Sequence, residues 1–326
     1  MKIYGKSSDE VKKLFNESKI IISVYGLGKM GLPLANVFAD KGADVLGVDI
    51  NKDVVKNLNK GINHIKEEPG LDELLRKNIE NWKFSATTDF IDAAKKADVI
   101  IILVPTLVKE NKVDLSIVHS VAREIAKSLQ KGTIIITENT MPPGSTEDLI
   151  PILENSGLKC GKDFGLAHCP ERTMTGTAVR DITRQYPKVV GGIDKKTTDA
   201  LIGLYSVINS GGVIPVSSIK AAEAVKVFEG VYRDVNIALA NELSLVCKKL
   251  DIDAKEVFET ANTQPYCSIH KPGYVGGHCI PYYPHFVMDD DTKLIEIARK
   301  INESVIDRLV EDTASALSNV KKEINN

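Results

Sequence analysis

Short apolar runs rich in β-branched residues alternate with helical segments along the first two thirds of the chain, after a short polar helix or loose arm in residues 1–18. The pattern predicts strands at Lys19–Tyr25, Asp44–Val48, Trp82–Ala86, Val99–Val104, Thr133–Thr137, Phe164–His168, Lys188–Gly192 and Val213–Val216. Strands that alternate with helices form a parallel sheet covered on both faces. We therefore predict a doubly wound α/β domain within residues 1–216.

The pattern changes after the last predicted strand. Ser217–Leu250 carries apolar residues at helical spacing, and Gly230 is its one helix-weakening residue. This predicts one unusually long spine helix, of the kind that joins domains or forms a subunit interface. A short helix at Ala254–Ala261 and a last helix from about Thr292 complete a smaller, all-helical second domain, residues 217–326.

A glycine-rich loop follows the first predicted strand and opens a helical segment. Its glycines permit a tight turn, close approach of the backbone to a pyrophosphate and close packing of helix on strand, while the helix N-terminus attracts phosphate. Asp49, at the end of the second strand, is placed to bind the adenosine ribose hydroxyls and to repel a 2′-phosphate. The arrangement predicts a Rossmann domain that prefers NAD to NADP. Cofactor contacts are predicted from Gly26, Leu27, Gly28, Met30, Gly31, Asp49, Pro105, Thr106 and Thr140.

Two other strand ends carry prolines and hydroxyl groups, at 104–106 and 138–144. Ligands of open α/β sheets bind beyond the carboxyl ends of the strands, which favours a binding role. The same prolines also fit a simpler interpretation, in which they end the strands and Ser145 or Thr146 caps a helix.

Cys279 lies in a stretch, residues 271–281, that contains three glycines and two prolines and so predicts a shaped loop. A free cysteine is usually a small buried hydrophobic residue. The alternative is that Cys279 is a catalytic nucleophile. The predicted nucleotide-binding loop favours it, because a bound cofactor implies a reaction in which a thiolate could take part.

Composition excludes several classes of function. The chain has 326 residues, of which 43% are hydrophobic and 26% charged, and a net charge of −2 gives no basic surface for nucleic acid. No apolar run is long enough to span a membrane and no signal peptide is recognisable, so we expect a cytoplasmic protein. Five cysteines without a CxxC pair predict reduced thiols and no metal site.

Six ordered motifs resemble those of the nucleotide-sugar 6-dehydrogenases, the UDP-glucose/GDP-mannose dehydrogenase family, and are most similar to its UDP-N-acetyl-D-mannosamine branch. The motifs are GLGKMGLPLA at 26–35, VPT at 104–106, ENTMPPGST at 138–146, CPERTMTGTA at 169–178, the long helix with Glu223, Lys226 and RDVNIALANELS at 233–244, and GGHCIP at 276–281.

The resemblance implies a four-electron oxidation in which the 6-hydroxyl of a UDP-sugar becomes a carboxylate and two NAD are reduced. It implies that Cys279 forms a thiohemiacetal and then a thioester, that Lys226 stabilises the oxyanion, that Glu171 is the general base or positions water, and that Thr140 helps to hold this water. The apolar positions of Ser217–Leu250 exceed what one face of a small helical domain can cover, so we predict a homodimer formed through this helix. Substrate contacts are implied for Glu171, Arg172, Lys226, Arg233, Asn236, Lys271 and Gly276.

The chain departs from the family pattern at three positions, Gly230, Tyr266 and Tyr283, where many members carry asparagine, arginine and aspartate respectively. The family's C-terminal UDP-binding domain would begin beyond Asn326, so we expect it to be absent from this chain. Three alternatives stay open: oxidation of UDP-glucose or another nucleotide sugar, a two-electron β-hydroxyacid dehydrogenase, and a dimeric NAD-binding module without turnover. The sugar epimer is not determined by the sequence.

Overall fold

The computed structural model describes residues 2–109, 112–277 and 279–319, so His278 of the GGHCIP motif lies outside the described residues. The chain divides into two compact units, the first formed by residues 2–109 and 113–226 and the second by residue 112 and residues 227–319. The division lies within the long helix, whereas the predicted boundary between 216 and 217 precedes it.

The first unit alternates strands and helices. In chain order its elements are α1 (Ser8–Asn16), β1 (Ile21–Tyr25), α2 (Gly31–Asp40), β2 (Asp44–Val48), α3 (Lys52–Leu58), α4 (Leu71–Glu80), β3 (Phe84–Thr87), α5 (Phe90–Lys96), β4 (Val99–Ile102), β5 (Leu107–Lys109), β6 (Lys112–Asp114), α6 (Ser116–Ala126), β7 (Ile134–Thr137), α7 (Ile150–Leu153), β8 (Gly165–His168), α8 (Ala178–Arg180), β9 (Lys188–Gly192), α9 (Lys195–Ile208) and β10 (Val213–Pro215). β5 and β6 form a small separate sheet that was not predicted.

Eight strands form one sheet in the order β10-β9-β8-β7-β4-β1-β2-β3, which confirms the doubly wound α/β fold. Neighbouring strands from β3 to β8 are parallel, and β9 is antiparallel to β8. The sequence pattern predicted parallel strands, and the reversed β9 makes the sheet mixed. Parallel strands need a crossover connection, and only short helical turns lie between β8 and β9, so β9 starts at the edge where β8 ends.

The core lies on both faces of the sheet. Successive strand residues enter two separate apolar clusters: Val24 and Ile101 pack into one, and their neighbours Tyr25 and Ile100 pack into the other. This alternation follows from the two-residue period of a strand. Helices cover both clusters, and the carboxyl edge of the sheet remains for loops.

The predicted polar arm is a docked helix. Ser7 and Glu10 form a reciprocal capping box at the start of α1, and Val11 and Phe15 are buried. Helix α1 packs against α9, and just before it Tyr4 donates a hydrogen bond to Asp194 Oδ2 (2.7 Å). The N-terminal residues are therefore part of the first unit's core.

Helices form the second unit. They are α10 (Ile219–Leu250), which begins in the first unit, α11 (Ala254–Ala261), α12 (Lys293–Glu303) and α13 (Val305–Asn319), with a 3-10 turn at Tyr283–Phe286. Arg299 of α12 forms a buried ion pair with Asp234 of α10, and Asn302 donates to the same carboxylate (2.9 Å). Among the helices in the described ranges, none has the length and apolar character needed to cross a bilayer.

Candidate active site

The glycine-rich loop turns sharply between β1 and α2. Gly26 has a φ of +99°, and a Cβ there would come within 3.2 Å of Val104 Cγ1 and closer still to the Leu103 carbonyl. A Cβ on Gly31 would strike the Gly26 carbonyl group. Both positions therefore require glycine, as a pyrophosphate-binding turn does. Gly28 is exposed with open space around it, so backbone is accessible at the point where a phosphate would bind.

Asp49 ties this loop to the end of β2. Its Oδ2 accepts a hydrogen bond from the Leu27 N–H (3.0 Å) and its Oδ1 accepts one from the Asn51 N–H (2.9 Å). The carboxylate is half-buried and so remains partly accessible to a ribose. The side chain of Leu27 is fully buried in the core, which leaves only its backbone near the loop.

A cleft of about 490 Å³ runs along this loop. Six of the predicted cofactor residues line it, together with exposed or half-exposed apolar groups such as Ile50 and Ile117 that no sequence motif marked. Apolar groups beside Asp49 are of the kind that line sites for planar ligand groups. The six are Gly26, Gly28, Met30, Gly31, Asp49 and Pro105.

Two loops at the carboxyl edge of the sheet are linked by side chains. Asn139 Nδ2 donates to Thr106 Oγ1 (2.8 Å), which joins the loops after β4 and β7. The buried carboxylate of Glu223 accepts hydrogen bonds from the N–H groups of Gly144 and Thr146. These contacts fix the loop that carries Thr140, which is half-buried.

Glu171 lies in a buried charged cluster that the sequence did not indicate. Lys188 Nζ lies 3.1 Å from Glu171 Oε2 and 2.6 Å from Glu138 Oε2, and the Tyr205 hydroxyl donates to Glu138. All four side chains are buried. Because β9 is reversed, its first residue, Lys188, lies at the same edge as the residues that follow β7 and β8.

Burial and charge act in opposite directions on the two carboxyl groups. Burial raises the pKa of Glu138 to about 6, despite the attraction of Lys188. For Glu171, burial also disfavours the charged form, but Lys188 and the Thr173 N–H (2.8 Å) outweigh it and hold its pKa below the ordinary value. Glu171 is therefore ionised at neutral pH.

Arg172, next to Glu171, is already engaged by the protein. Its Nη2 donates to the Pro187 carbonyl (2.8 Å), and its guanidinium group lies 4.9 Å from the centre of the Tyr186 ring. Any substrate contact from Arg172 would be added to these two. The implied contact stays a prediction.

In the second unit, Cys279 lies at the start of a turn with its side chain exposed. Its carbonyl accepts hydrogen bonds from the N–H groups of Tyr282 (3.0 Å) and Tyr283 (3.1 Å). Gly277, two residues before it, has a φ of +89°, a conformation that favours glycine. The thiol is thus presented on a shaped loop, as the glycines and prolines predict.

Three asparagines hold the segment that leads to this turn, residues 268–273. Asn236 donates to the Ser268 carbonyl and accepts from the His270 N–H (both 2.8 Å). Asn262 donates to the Ile269 carbonyl and accepts from the Ile269 N–H. Asn241 forms the same two bonds with the carbonyl and N–H of Gly273. Asn236 was predicted to contact substrate, but its side-chain amide already forms hydrogen bonds with the backbone of this segment.

The remaining implied residues of the α10 and cysteine-loop regions lie at different exposures. Lys226 is half-buried on α10, whereas Arg233, Lys271 and Gly276 are exposed. Tyr266, one of the departures from the family, is also exposed. In the part of the chain that the structure describes, no three His, Cys, Asp or Glu side chains are grouped as metal ligands.

The sheet order, the glycine-rich turn and the cleft beside Asp49 define the first unit as a Rossmann domain of an NAD-dependent dehydrogenase. Residues 20–209 match the NAD-binding domain of the UDP-glucose/GDP-mannose dehydrogenase family, and residues 220–304 match the central domain of that family. The chain belongs to this family, and its cofactor is NAD.

Relatives with known names agree with this assignment. The chain is 39% identical over 287 residues to UDP-N-acetyl-D-mannosamine dehydrogenase of Pyrococcus horikoshii, covering 86% of this chain and 68% of that protein. It is 38% identical over 305 residues to NDP-N-acetyl-D-galactosaminuronic acid dehydrogenase of Ralstonia nicotianae, covering 88% and 70%.

Solved structures agree as well. The P. horikoshii structure superposes with a TM-score of 0.89 at 37% identity, over 93% of this chain and 73% of that one. A 3-hydroxyisobutyrate dehydrogenase from Mycobacterium tuberculosis superposes with a TM-score of 0.61 at 16% identity, over 87% and 93%, and this likeness shows the fold alone.

Proposed function

We propose that the chain carries the NAD-binding and catalytic parts of an enzyme that oxidises the 6-hydroxyl of UDP-N-acetyl-D-mannosamine to the carboxylate. The similarity to the P. horikoshii dehydrogenase, in sequence and in structure, carries the proposal. The Ralstonia relative is named for an N-acetylated uronic acid of another configuration. The two names together support an acetamido sugar as the substrate class more strongly than they support one epimer.

When bound, NAD supplies the hydride acceptor for each of the two oxidations. Gly26, Gly28, Gly31 and Asp49 would hold it. Gly26 and Gly31 allow the tight turn, Gly28 leaves open space for the pyrophosphate, and Asp49 lines the cleft. Glu171, which is ionised beside Lys188, removes the proton of the sugar hydroxyl or positions water. Thr140 helps to position that water.

Cys279 acts on the aldehyde left by the first oxidation. Its sulfur adds to the carbonyl carbon to give a thiohemiacetal, and Lys226 stabilises the negative oxygen. Loss of hydride from that carbon gives a thioester. Water then breaks the carbon–sulfur bond, which releases the carboxylate and returns the thiol.

We also propose a homodimer formed through α10. Five exposed apolar residues follow one another along this helix at spacings of four, seven, seven and four residues, so they form a single stripe. The stripe consists of Phe228, Tyr232, Leu239, Val246 and Leu250.

The test is an assay of NADH formed per sugar consumed, with UDP-N-acetylmannosamine, UDP-N-acetylgalactosamine, UDP-N-acetylglucosamine and UDP-glucose. The chain is assayed as it is and also fused to the C-terminal domain of a relative. We expect two NADH per UDP-N-acetylmannosamine. One NADH per substrate would instead indicate a two-electron dehydrogenase, and NAD binding without turnover in both forms would indicate a binding module.

Cys279→Ser should retain NAD binding but form no carboxylate, because a serine hydroxyl is far less ionised than a thiol near neutral pH. Cys267→Ser is the matched control, since Cys267 lies in the same unit and is half-buried. Two NADH per sugar from the Cys279 variant would refute the role of this residue.

A further inference from the structure

Gly230 and Tyr283, two of the positions at which the chain departs from its family, are in contact. The aromatic ring of Tyr283 lies directly over Gly230 on α10. A Cβ at Gly230 would lie 2.9 Å from Tyr283 Cγ and 3.0 Å from its Cβ, and closer still to a ring carbon. The ring therefore occupies the space that any other side chain at position 230 would need.

The backbone of Tyr283 also holds Cys279. Its N–H donates to the Cys279 carbonyl (3.1 Å), next to the bond from Tyr282 (3.0 Å). The Tyr283 side chain is only 7% exposed, and its ring also contacts Phe286 (5.9 Å between ring centroids). A single residue thus connects the surface of α10 to the turn that carries the thiol.

We propose that Tyr283, seated on Gly230, is the residue that positions the Cys279 turn against α10. This inference rests on the proposed role of Cys279. A rigid, buried ring that packs against α10 at Gly230 and against Phe286 has few alternative positions, so it fixes the distance of the turn from the helix. The absence of a side chain at residue 230 is then a requirement of the turn and explains a glycine in the interior of a 32-residue helix.

The test measures the rate at which iodoacetamide alkylates Cys279, followed by peptide mass spectrometry, and needs neither substrate nor cofactor. Alanine is a better helix former than glycine, so Gly230→Ala would be harmless to α10 by itself. We expect it to change the Cys279 alkylation rate by about fivefold or more, because the ring and the turn must move. Cys267 in the same molecule is the internal control, and its rate should stay constant.

Tyr283→Ala completes a double-mutant cycle. It should also change the Cys279 rate, and adding Gly230→Ala to it should have little further effect, since the ring that the new methyl group would strike is gone. The proposal would be overturned if Gly230→Ala changed the Cys279 alkylation rate equally in the presence and absence of the Tyr283 side chain. It would also be overturned if neither single substitution changed that rate.

If Gly230→Ala fails to fold, Tyr283→Leu is used in its place. This variant keeps apolar volume at residue 283 but loses the planar ring. A changed Cys279 rate with a constant Cys267 rate supports positioning by the ring, and an unchanged Cys279 rate refutes it. If the alkylation results hold but the unmodified protein forms no NADH, either alone or fused to the C-terminal domain of a relative, the positioning inference stands and the proposed function is refuted.

Discussion

Asp49 has a structural role before any cofactor binds, because its two oxygens accept backbone N–H groups from Leu27 and Asn51. Asp49→Ala removes both acceptors and the charge that repels a 2′-phosphate. We expect NAD to bind about tenfold more weakly, given a typical cost of 1–3 kcal/mol for unpaired groups, and the preference over NADP to fall. Isothermal titration with both cofactors measures this.

Asp53→Ala is the control for that experiment, since Asp53 is exposed and lies on the next helix, α3. It should leave both dissociation constants unchanged. Equal affinities for NAD and NADP in the unmodified protein would contradict the assigned role of Asp49.

Lys188 is the cation that allows two carboxylates to lie buried together. Lys188→Met should lower the free energy of unfolding by about 3–5 kcal/mol at pH 7.5, the usual cost of removing one partner from a buried ion pair. Urea unfolding measures it. The loss of unfolding free energy caused by Lys188→Met should be smaller at pH 5. Burial raises the pKa of Glu138 to about 6, so at pH 5 this group is protonated and one of the two buried negative charges disappears.

The sign of this pH effect follows from the raised pKa. The contribution of Glu138 to stability is complete below its ordinary pKa and is lost as the pH rises through about 6. Lys195→Met is the control, because Lys195 forms an exposed pair with Asp199 and should contribute less than about 1 kcal/mol. A deficit that does not depend on pH would show that Lys188 acts through packing alone.

The prediction of the cofactor site rests on residue patterns that are local in sequence, and six of its residues line one cleft. The three glycines and Asp49 lie within 24 consecutive residues, and the physical demands of a phosphate-binding turn are specific. Lys188 and Glu223 were not predicted as site residues in this way, because their partners are distant in sequence. Lys188 pairs with residues 17 and 50 positions away, and Glu223 with residues 77 and 79 positions away. Only the fold brings such groups together.

At the scale of elements, a loop without regular structure is held by side-chain amides. Each of Asn236, Asn241 and Asn262 donates one hydrogen bond to the backbone of residues 268–273 and accepts another. An amide carries a donor and an acceptor in the arrangement of a peptide group, so it can pair with a chain that has no strand partner. This fixes the approach to the cysteine turn.

Asn241→Ala should therefore loosen one end of this segment. Hydrogen exchange of the Gly273 amide should accelerate about tenfold or more, since its acceptor is lost. The Ile269 amide, held by Asn262, should keep its rate. Glu242→Ala, an exposed neighbour on α10, is the control, and equal acceleration at Ile269 would show that the segment opens as a whole instead.

Element positions were predictable where apolar runs were continuous. Strands β2 and β9 have the predicted bounds, and the other strands of the large sheet differ by a few residues at their ends. The direction of β9 was not predictable, since it depends on the path of the connection rather than on the strand's own residues. The β5–β6 pair was missed because its strands have three residues each and no apolar face.

At the scale of the whole molecule, the apolar stripe on α10 bears on assembly. Leu239→Asp places a charge in the middle of the stripe, so it should convert a dimer to a monomer. Light scattering at micromolar concentration measures the mass. Ile62→Asp, at an exposed apolar residue of the first unit, should leave the mass unchanged, and a monomeric unmodified protein would refute the proposed dimer.

The docking of α1 on α9 has a consequence for synthesis. Helix α1 is made first, but the helix it packs against ends at Ile208. At 5–20 residues per second, the ribosome needs roughly 10–40 s to add the intervening residues. Throughout that interval the surface of α1 that packs on α9 is uncovered, although Phe15 can already contact Phe38 of α2. The nascent chain therefore exposes an apolar helix face to which chaperones can bind and through which chains can associate.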